Sequence, residues 1–174
     1  SGEGEKKWLE YLQIIDQGGL PSEEVLNRWK TYGSDLPDLA PAYIEEDYPQ
    51  LKNRIVYFET SRGCPYLCSF CLSALDKTVR YFDDEIVYDQ IKKLIDAGVK
   101  KFKFVDRTFN LKPGRMKALM EWLSKFEGSE FHFEVVGDIL TPDILKFLET
   151  VPPGMFQFEI GIQTTDETVQ ESIQ

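Results

Sequence analysis

The sequence predicts an α/β fold: about four parallel strand–helix units in series, behind a short helical N-terminal appendage. Three observations carry this. After Arg54, short apolar runs alternate with stretches of helical period, the pattern of βα units and a parallel sheet. Three of the strand candidates alternate phenylalanine with a polar residue. Capping and acidic residues stand where helices should start, and Gly98 stands where one should stop.

Residues from about Glu5 to Asp16 read as a helix, with Trp8, Leu9, Leu12 and Ile15 on one stripe, stopped by Gly18-Gly19. A second, weaker helix follows Pro21-Ser22, with Ser22 as its cap. Prolines 37, 41 and 49 make Leu36 to Arg54 read as an extended linker. Residues 1–53 thus form the appendage and linker, and residues 54–174 the sheet domain.

Ile55 to Thr60 is the first predicted strand. Asp83-Asp84-Glu85 opens a helix through Ile86, Val87, Ile91, Leu94 and Ile95. Lys101 to Val105 is a strand, and Arg115 to Phe126 a helix with Met116, Leu119, Met120 and Leu123 inward. Phe131 to Val136 is a strand; Thr141-Pro142 caps and starts a helix through Leu148. Phe156 to Ile162 is the fourth strand, and Thr165-Asp166 opens a last helix.

Strand period places Phe102, Phe104, Phe131, Phe133, Phe156 and Phe158 on one face, under the helices. Lys101, Lys103, His132, Glu134, Gln157 and Glu159 fall on the other. A parallel sheet is normally covered on both faces, so the polar side reads as lining a wet or ligand-filled lumen. A sheet with one solvated face is the plain alternative. Asp83, Asp84 and Glu85 read as charge compensation at a helix start.

Acidic residues outnumber basic ones, 30 to 20, which argues against a nucleic-acid backbone as partner. No apolar run approaches the ~18 residues of a membrane span. The first residues, Ser1 to Glu5, carry no apolar signal region. No phosphate loop, serine triad or two-carboxylate signature is evident.

All three cysteines, Cys64, Cys68 and Cys71, fall in one short loop after the first strand. An odd, clustered set is a poor disulfide framework and fits a reducing compartment, the cytoplasm. Thiolates spaced Cys-x-x-x-Cys-x-x-Cys can wrap one side of a cuboidal iron–sulfur cluster and leave one iron without a protein ligand. The loop leaves the carboxyl end of a strand, where α/β proteins place their sites, and Gly63 allows close backbone approach. Zinc with His132 as fourth ligand is the rival, in a structural module without catalysis. A redox dithiol would use Cys68 and Cys71 and leave Cys64 unexplained.

The run Glu59-Thr60-Ser61-Arg62-Gly63-Cys64-Pro65-Tyr66-Leu67-Cys68-Ser69-Phe70-Cys71 resembles the signature of the radical S-adenosylmethionine superfamily, Cys-x-x-x-Cys-x-aromatic-Cys. Its flanks are similar to the branch that carries a cobalamin-binding domain. In particular, Phe104 to Asn110, Phe131 to Glu134 and Glu159 to Thr164 resemble the second, third and fourth strands of one uncharacterised group there. Gly2-Glu3-Gly4-Glu5 resembles the exit from the cobalamin domain.

The resemblance implies a (β/α) barrel whose cluster, held by Cys64, Cys68 and Cys71, reductively cleaves S-adenosylmethionine to a 5′-deoxyadenosyl radical. It implies that the Phe70 backbone lies near adenine, and that Glu159 and Gln163 stand where the ribose is contacted. An electron donor such as flavodoxin or ferredoxin and a small-molecule substrate are implied partners, with hydrogen abstraction or cobalamin-dependent methyl transfer as the outcome. The cofactors carry this chemistry, and the protein orients and shields them.

Three departures matter. The second strand lacks Gly-Gly-Glu for the methionine amino group, leaving Asp106 as the nearest carboxylate and Arg107 for the methionine carboxylate; a capped strand end is the alternative for both. Four units stand in place of six, so the expectation is a partial, open barrel, inactive by itself. Cobalamin is expected only in a longer chain. Such a sheet has two free edges, the first and fourth strands, which predict edge-mediated homodimers or assembly.

Overall fold

The structure, a computed structural model, describes residues 4–29, 42–75 and 77–173. Gly2, Glu3 and the first part of the expected linker, residues 36–41, lie outside the described residues. Contacts divide the chain into two compact units, Ser1–Leu39 and Ala40–Gln174.

In the first unit, α1 (Gly4–Asp16) and α2 (Glu23–Trp29) occur where the sequence predicts helices. The Val25 N–H donates to Ser22 Oγ at 3.3 Å, so Ser22 caps as expected. Trp29 ties the helices together: its indole donates to Glu10 at 2.8 Å and its carbonyl accepts from Lys7 Nζ at 2.8 Å.

The second unit opens with a correction. Residues expected to be extended form a 3-10 turn, Glu45–Asp47, and one helical turn, α3 (Tyr48–Leu51). Pro49 lies in the first turn of α3, where a missing N–H breaks no intrahelical bond. Tyr43 then reaches β1 (Ile55–Phe58): its hydroxyl accepts from Tyr57 N–H and donates to the Tyr57 carbonyl, both at 3.1 Å.

The rest runs β2 (Ser61–Arg62), β3 (Arg80–Tyr81), α4 (Asp84–Asp96), β4 (Lys101–Phe104), α5 (Pro113–Leu123), β5 (Glu130–Val135), α6 (Pro142–Leu148), β6 (Phe156–Ile160) and α7 (Glu167–Ser172). The main sheet has the order β1-β4-β5-β6 and is parallel throughout. The fold is thus mixed α/β with four parallel strands, consistent with a partial β/α barrel whose outer strands are those expected. The sequence did not reveal the two-residue antiparallel ribbon of β2 and β3.

Caps set the helix starts. Asp83 accepts from the N–H groups of Glu85 and Ile86 (2.8 and 3.4 Å), Thr141 from Ile144 (3.4 Å), and Asp166 from Val169 (3.0 Å). Gly98 adopts φ +95° after α4, the left-handed stop that the sequence suggested.

Register converts the phenylalanine alternation into two ladders. Val56, Phe102, Phe131 and Phe156 form one row. Phe58, Phe104, Phe133 and Phe158 form the next, with centroid separations of 5.9, 4.7 and 6.0 Å. Val87, Ile91, Leu94, Met116, Met120 and Leu123 complete a core from which Phe104 and Phe133 expose nothing. Each such ring contributes roughly 1.5–3 kcal/mol by burial. Cover thins toward β6, where Ile160 and Ile162 remain 45% and 72% exposed.

Candidate active site at the carboxyl end of the sheet

Two strand ends and the loops leaving them build the site. β1 stops at Phe58, two residues earlier than its apolar run suggests, because the next backbone groups have other partners. The Thr60 N–H donates to Asp106 Oδ2 at 2.9 Å, and the Thr60 and Ser61 hydroxyls both donate to Asp106 Oδ1 at 2.6 Å. The Thr60 carbonyl accepts from Phe82 N–H at 3.0 Å, which closes the β2–β3 ribbon. The cysteine loop therefore leaves and returns through one fixed point.

Asp106 follows β4 and is 1% exposed. Its carboxyl is pushed above the usual carboxylate range by burial, while the Ser61 and Thr60 hydrogen bonds and the Arg115 charge oppose this. All three of those bonds join strand ends, the geometry of the capped-strand alternative. Arg115, on α5, bonds Thr60 Oγ1 at 3.0 Å and Asp84 at 2.7 Å, so a helix is fastened to the same point.

The loop after β4 also buries polar residues. Asp106, Thr108 and Asn110 are buried polar residues, and Arg107 is exposed between them. Asn110 binds the backbone of Val136 at the end of β5. Thr108 Oγ1 donates to the Arg107 carbonyl at 2.8 Å and lies 3.6 Å from Cys64 Sγ. Thr60, Thr108, Asn110 and Arg115 were not singled out from sequence. The one available signal was three polar residues at alternate positions, Asp106, Thr108 and Asn110.

None of the three cysteines is in a disulfide; Cys64 is buried, Cys68 half-buried and Cys71 exposed. Gly63, with φ +91°, makes the turn into the loop, a conformation open mainly to glycine. The Cys71 thiol is held below its ordinary range by its hydrogen bonds to Ser73, with a smaller contribution from the Arg107 charge. Phe70 is 54% exposed. Among the described residues, no three Cys, His, Asp or Glu side chains converge as a metal site. The donor set nonetheless fits an iron–sulfur cluster in kind: three soft, unpaired thiols on one loop at the carboxyl end of a strand.

The polar face of the sheet carries the expected residues. Lys103 Nζ lies 3.2 Å from Glu159 and 3.9 Å from Glu134, and Lys101 pairs with Glu130 at 3.0 Å. His132 Nε2 is 3.3 Å from Glu159 Oε2, without hydrogen-bond alignment. It turns to this face rather than into a metal site with the cysteines. Gln163 lies beyond β6, exposed and at φ +64°. That strand ends at Ile160, two residues earlier than its apolar pattern suggests.

A parallel βα sheet with a cysteine loop at the end of its first strand defines a class of cofactor-dependent α/β enzyme core. The profile of the Radical SAM superfamily matches residues 58–174, and the chain belongs to that superfamily. Among its curated relatives is a cobalamin-dependent radical SAM methyltransferase, TokK, from Streptomyces tokunonensis. That protein is 41% identical over 58 residues, covering 32% of this chain and 8% of the relative. Another is a bacteriochlorophyllide d C-12(1)-methyltransferase from Chlorobaculum tepidum, 25% identical over 129 residues, covering 71% of this chain and 28% of the relative. The chain thus spans less than a third of the length of either relative. Among the described residues, no helix is long and apolar enough to cross a membrane.

Proposed function

We propose that this chain is the cluster-binding core of a radical S-adenosylmethionine enzyme, with Cys64, Cys68 and Cys71 as ligands of a 4Fe–4S cluster. The observation that supports it most is the set of three unpaired thiols on a loop pinned between β1 and β4, in a chain of that superfamily. When bound, such a cluster supplies the electron that splits the sulfonium bond of S-adenosylmethionine. The chain's own residues hold and orient: the ribbon fixes the loop, Arg107, whose charge is felt at Cys71, offers a cation for a carboxylate, and Phe70 is exposed on the loop. Asp106 acts through Thr60 and Ser61. On the polar face, Glu159 and Gln163 are proposed for the ribose.

In the longer protein the reading extends to cobalamin-dependent methyl transfer on a small-molecule substrate, supported by the methyltransferase names of two relatives. A flavodoxin- or ferredoxin-like donor and a reducing cytoplasm accompany it. Anaerobic reconstitution is the test. About four irons and four labile sulfides per chain are expected, lost in Cys64→Ala, Cys68→Ala and Cys71→Ala. One stoichiometric zinc that resists iron would instead make this a structural zinc module. The 174-residue chain should bind S-adenosylmethionine weakly and cobalamin not at all; tight cobalamin binding in equilibrium dialysis would overturn the domain reading.

A further inference from the structure

We propose that Thr108 is a positioning residue for Cys64, and that its hydroxyl donates a hydrogen bond to the Cys64 sulfur when that sulfur is bound to iron. The inference rests on the cluster reading above. Two contacts carry it. Thr108 Oγ1 is 3.6 Å from Cys64 Sγ, and the same oxygen donates to the Arg107 carbonyl at 2.8 Å. A threonine hydroxyl has one hydrogen. While it serves the Arg107 carbonyl, the contact with sulfur requires the Cys64 thiol to be the donor.

An iron-bound sulfur has no hydrogen and can only accept. The hydroxyl must then turn from the Arg107 carbonyl to the sulfur, or face it with a lone pair. Both groups are buried, with Thr108 4% and Cys64 8% exposed, so water is a poor substitute. Turning is a rotation about one bond and needs no backbone movement. It also leaves the carbonyl of Arg107 without that donor. The loop is held firmly enough for the contact to persist. Asp106 and Asn110, two residues to either side, are clamped to the ends of β1 and β5.

Hydrogen bonds to cluster sulfurs are among the features that set reduction potential. Reduction adds negative charge to the cluster, so a donor aimed at sulfur favours the reduced state and raises the potential. Thr108→Val keeps the shape and removes the donor; Thr108→Ser keeps the donor.

The experiment uses the whole chain, reconstituted anaerobically with iron and sulfide. An EPR-monitored redox titration reads the midpoint, and resonance Raman reads the shift of Fe–S stretches in D2O. The expectation is a lower midpoint and loss of the D2O shift in Thr108→Val, with Thr108→Ser near the native protein in both. Should Val impair loading instead, Ser restoring it supports the same reading. If Val and Ser behave alike, whether both native-like or both defective, the proposal is overturned. A native chain that takes up no cluster overturns the function reading as well; a cluster indifferent to the hydroxyl overturns this inference alone.

Discussion

Asn110 and Val136 exchange two hydrogen bonds across loops that leave different strands. Asn110 Nδ2 donates to the Val136 carbonyl at 2.8 Å, and the Val136 N–H donates to Asn110 Oδ1 at 3.0 Å. The side chain imitates one rung of a ladder beyond the point where β4 and β5 stop pairing. Asn110 exposes none of its surface, so removing it orphans a backbone donor and acceptor that water reaches poorly.

Asn110→Ala should cost about 2–4 kcal/mol of stability. Urea unfolding followed by circular dichroism measures this. Amide exchange at Val136 should quicken more than at Phe102 in the sheet interior. Equal quickening at both would mean that the clamp is not local.

Asp106 gives a pH signature. Its folded carboxyl is raised by burial, so the folded chain holds the proton more tightly than the unfolded one. In the window from the ordinary carboxylate range up to the raised value, the unfolded state carries fewer protons. Stability contributed by this group is therefore full at lower pH and declines as pH rises through that window. Asp106→Asn removes the charge and that dependence. The stability of the native chain minus that of the Asn variant should fall as pH rises from about 4. Asp106→Ala loses all three hydrogen bonds and should be less stable than Asn at every pH.

Phe133 packs on Phe104 and Phe158 of its own ladder, on Phe109, and on Phe156 of the other ladder. Phe133→Ala should cost about 3–5 kcal/mol, the range for emptying an aromatic site in a core. Phe158→Ala should cost less, because β6 is only half covered. Parallel thermal melts compare the two, and equal losses would contradict the thinning of the core toward that edge.

The two outer strands should differ in self-association. Tyr43 satisfies both backbone groups of Tyr57 on β1, whereas Ile160 and Ile162 leave apolar surface at the other edge. Sedimentation should detect concentration-dependent dimers of the 174-residue chain, weakened by Ile160→Lys with Ile162→Lys. Tyr43→Phe should increase association by freeing the β1 edge. A native chain and a Tyr43→Phe variant that both stay monomeric at every concentration would refute the edge argument.

What the sequence disclosed follows from range. The phenylalanine alternation is a repeated local pattern, and register turned it into ladders with nothing further required. The cysteine spacing was equally local. The partners of Asp106 lie 45 and 46 positions away, and those of Asn110 26 away, and no pattern within a window reports such separations. Pro49 read as a breaker because proline also begins helices, and only the backbone separates the two uses. Pro113 likewise starts α5 two residues before the predicted Arg115. That helix ends at Leu123 rather than Phe126, because the last turn closes at Ser124. Ribbons of two residues are too short to carry a period.

The ribbon between Ser61-Arg62 and Arg80-Tyr81 has a consequence for change over time. Both ends of the segment it closes are fixed beside each other, so the chain leaves the sheet and rejoins it at one place. Doubling the length of such a loop adds only about 0.6 kcal/mol of closure entropy. Residues can be inserted, removed or exchanged inside it while β1 and β4 keep their pairing. Substituting the segment between Gly63 and Val79 with an unrelated one should leave a folded sheet with different chemistry at its rim. The scaffold and the reactive loop are separable inheritances, joined at two residues on each side.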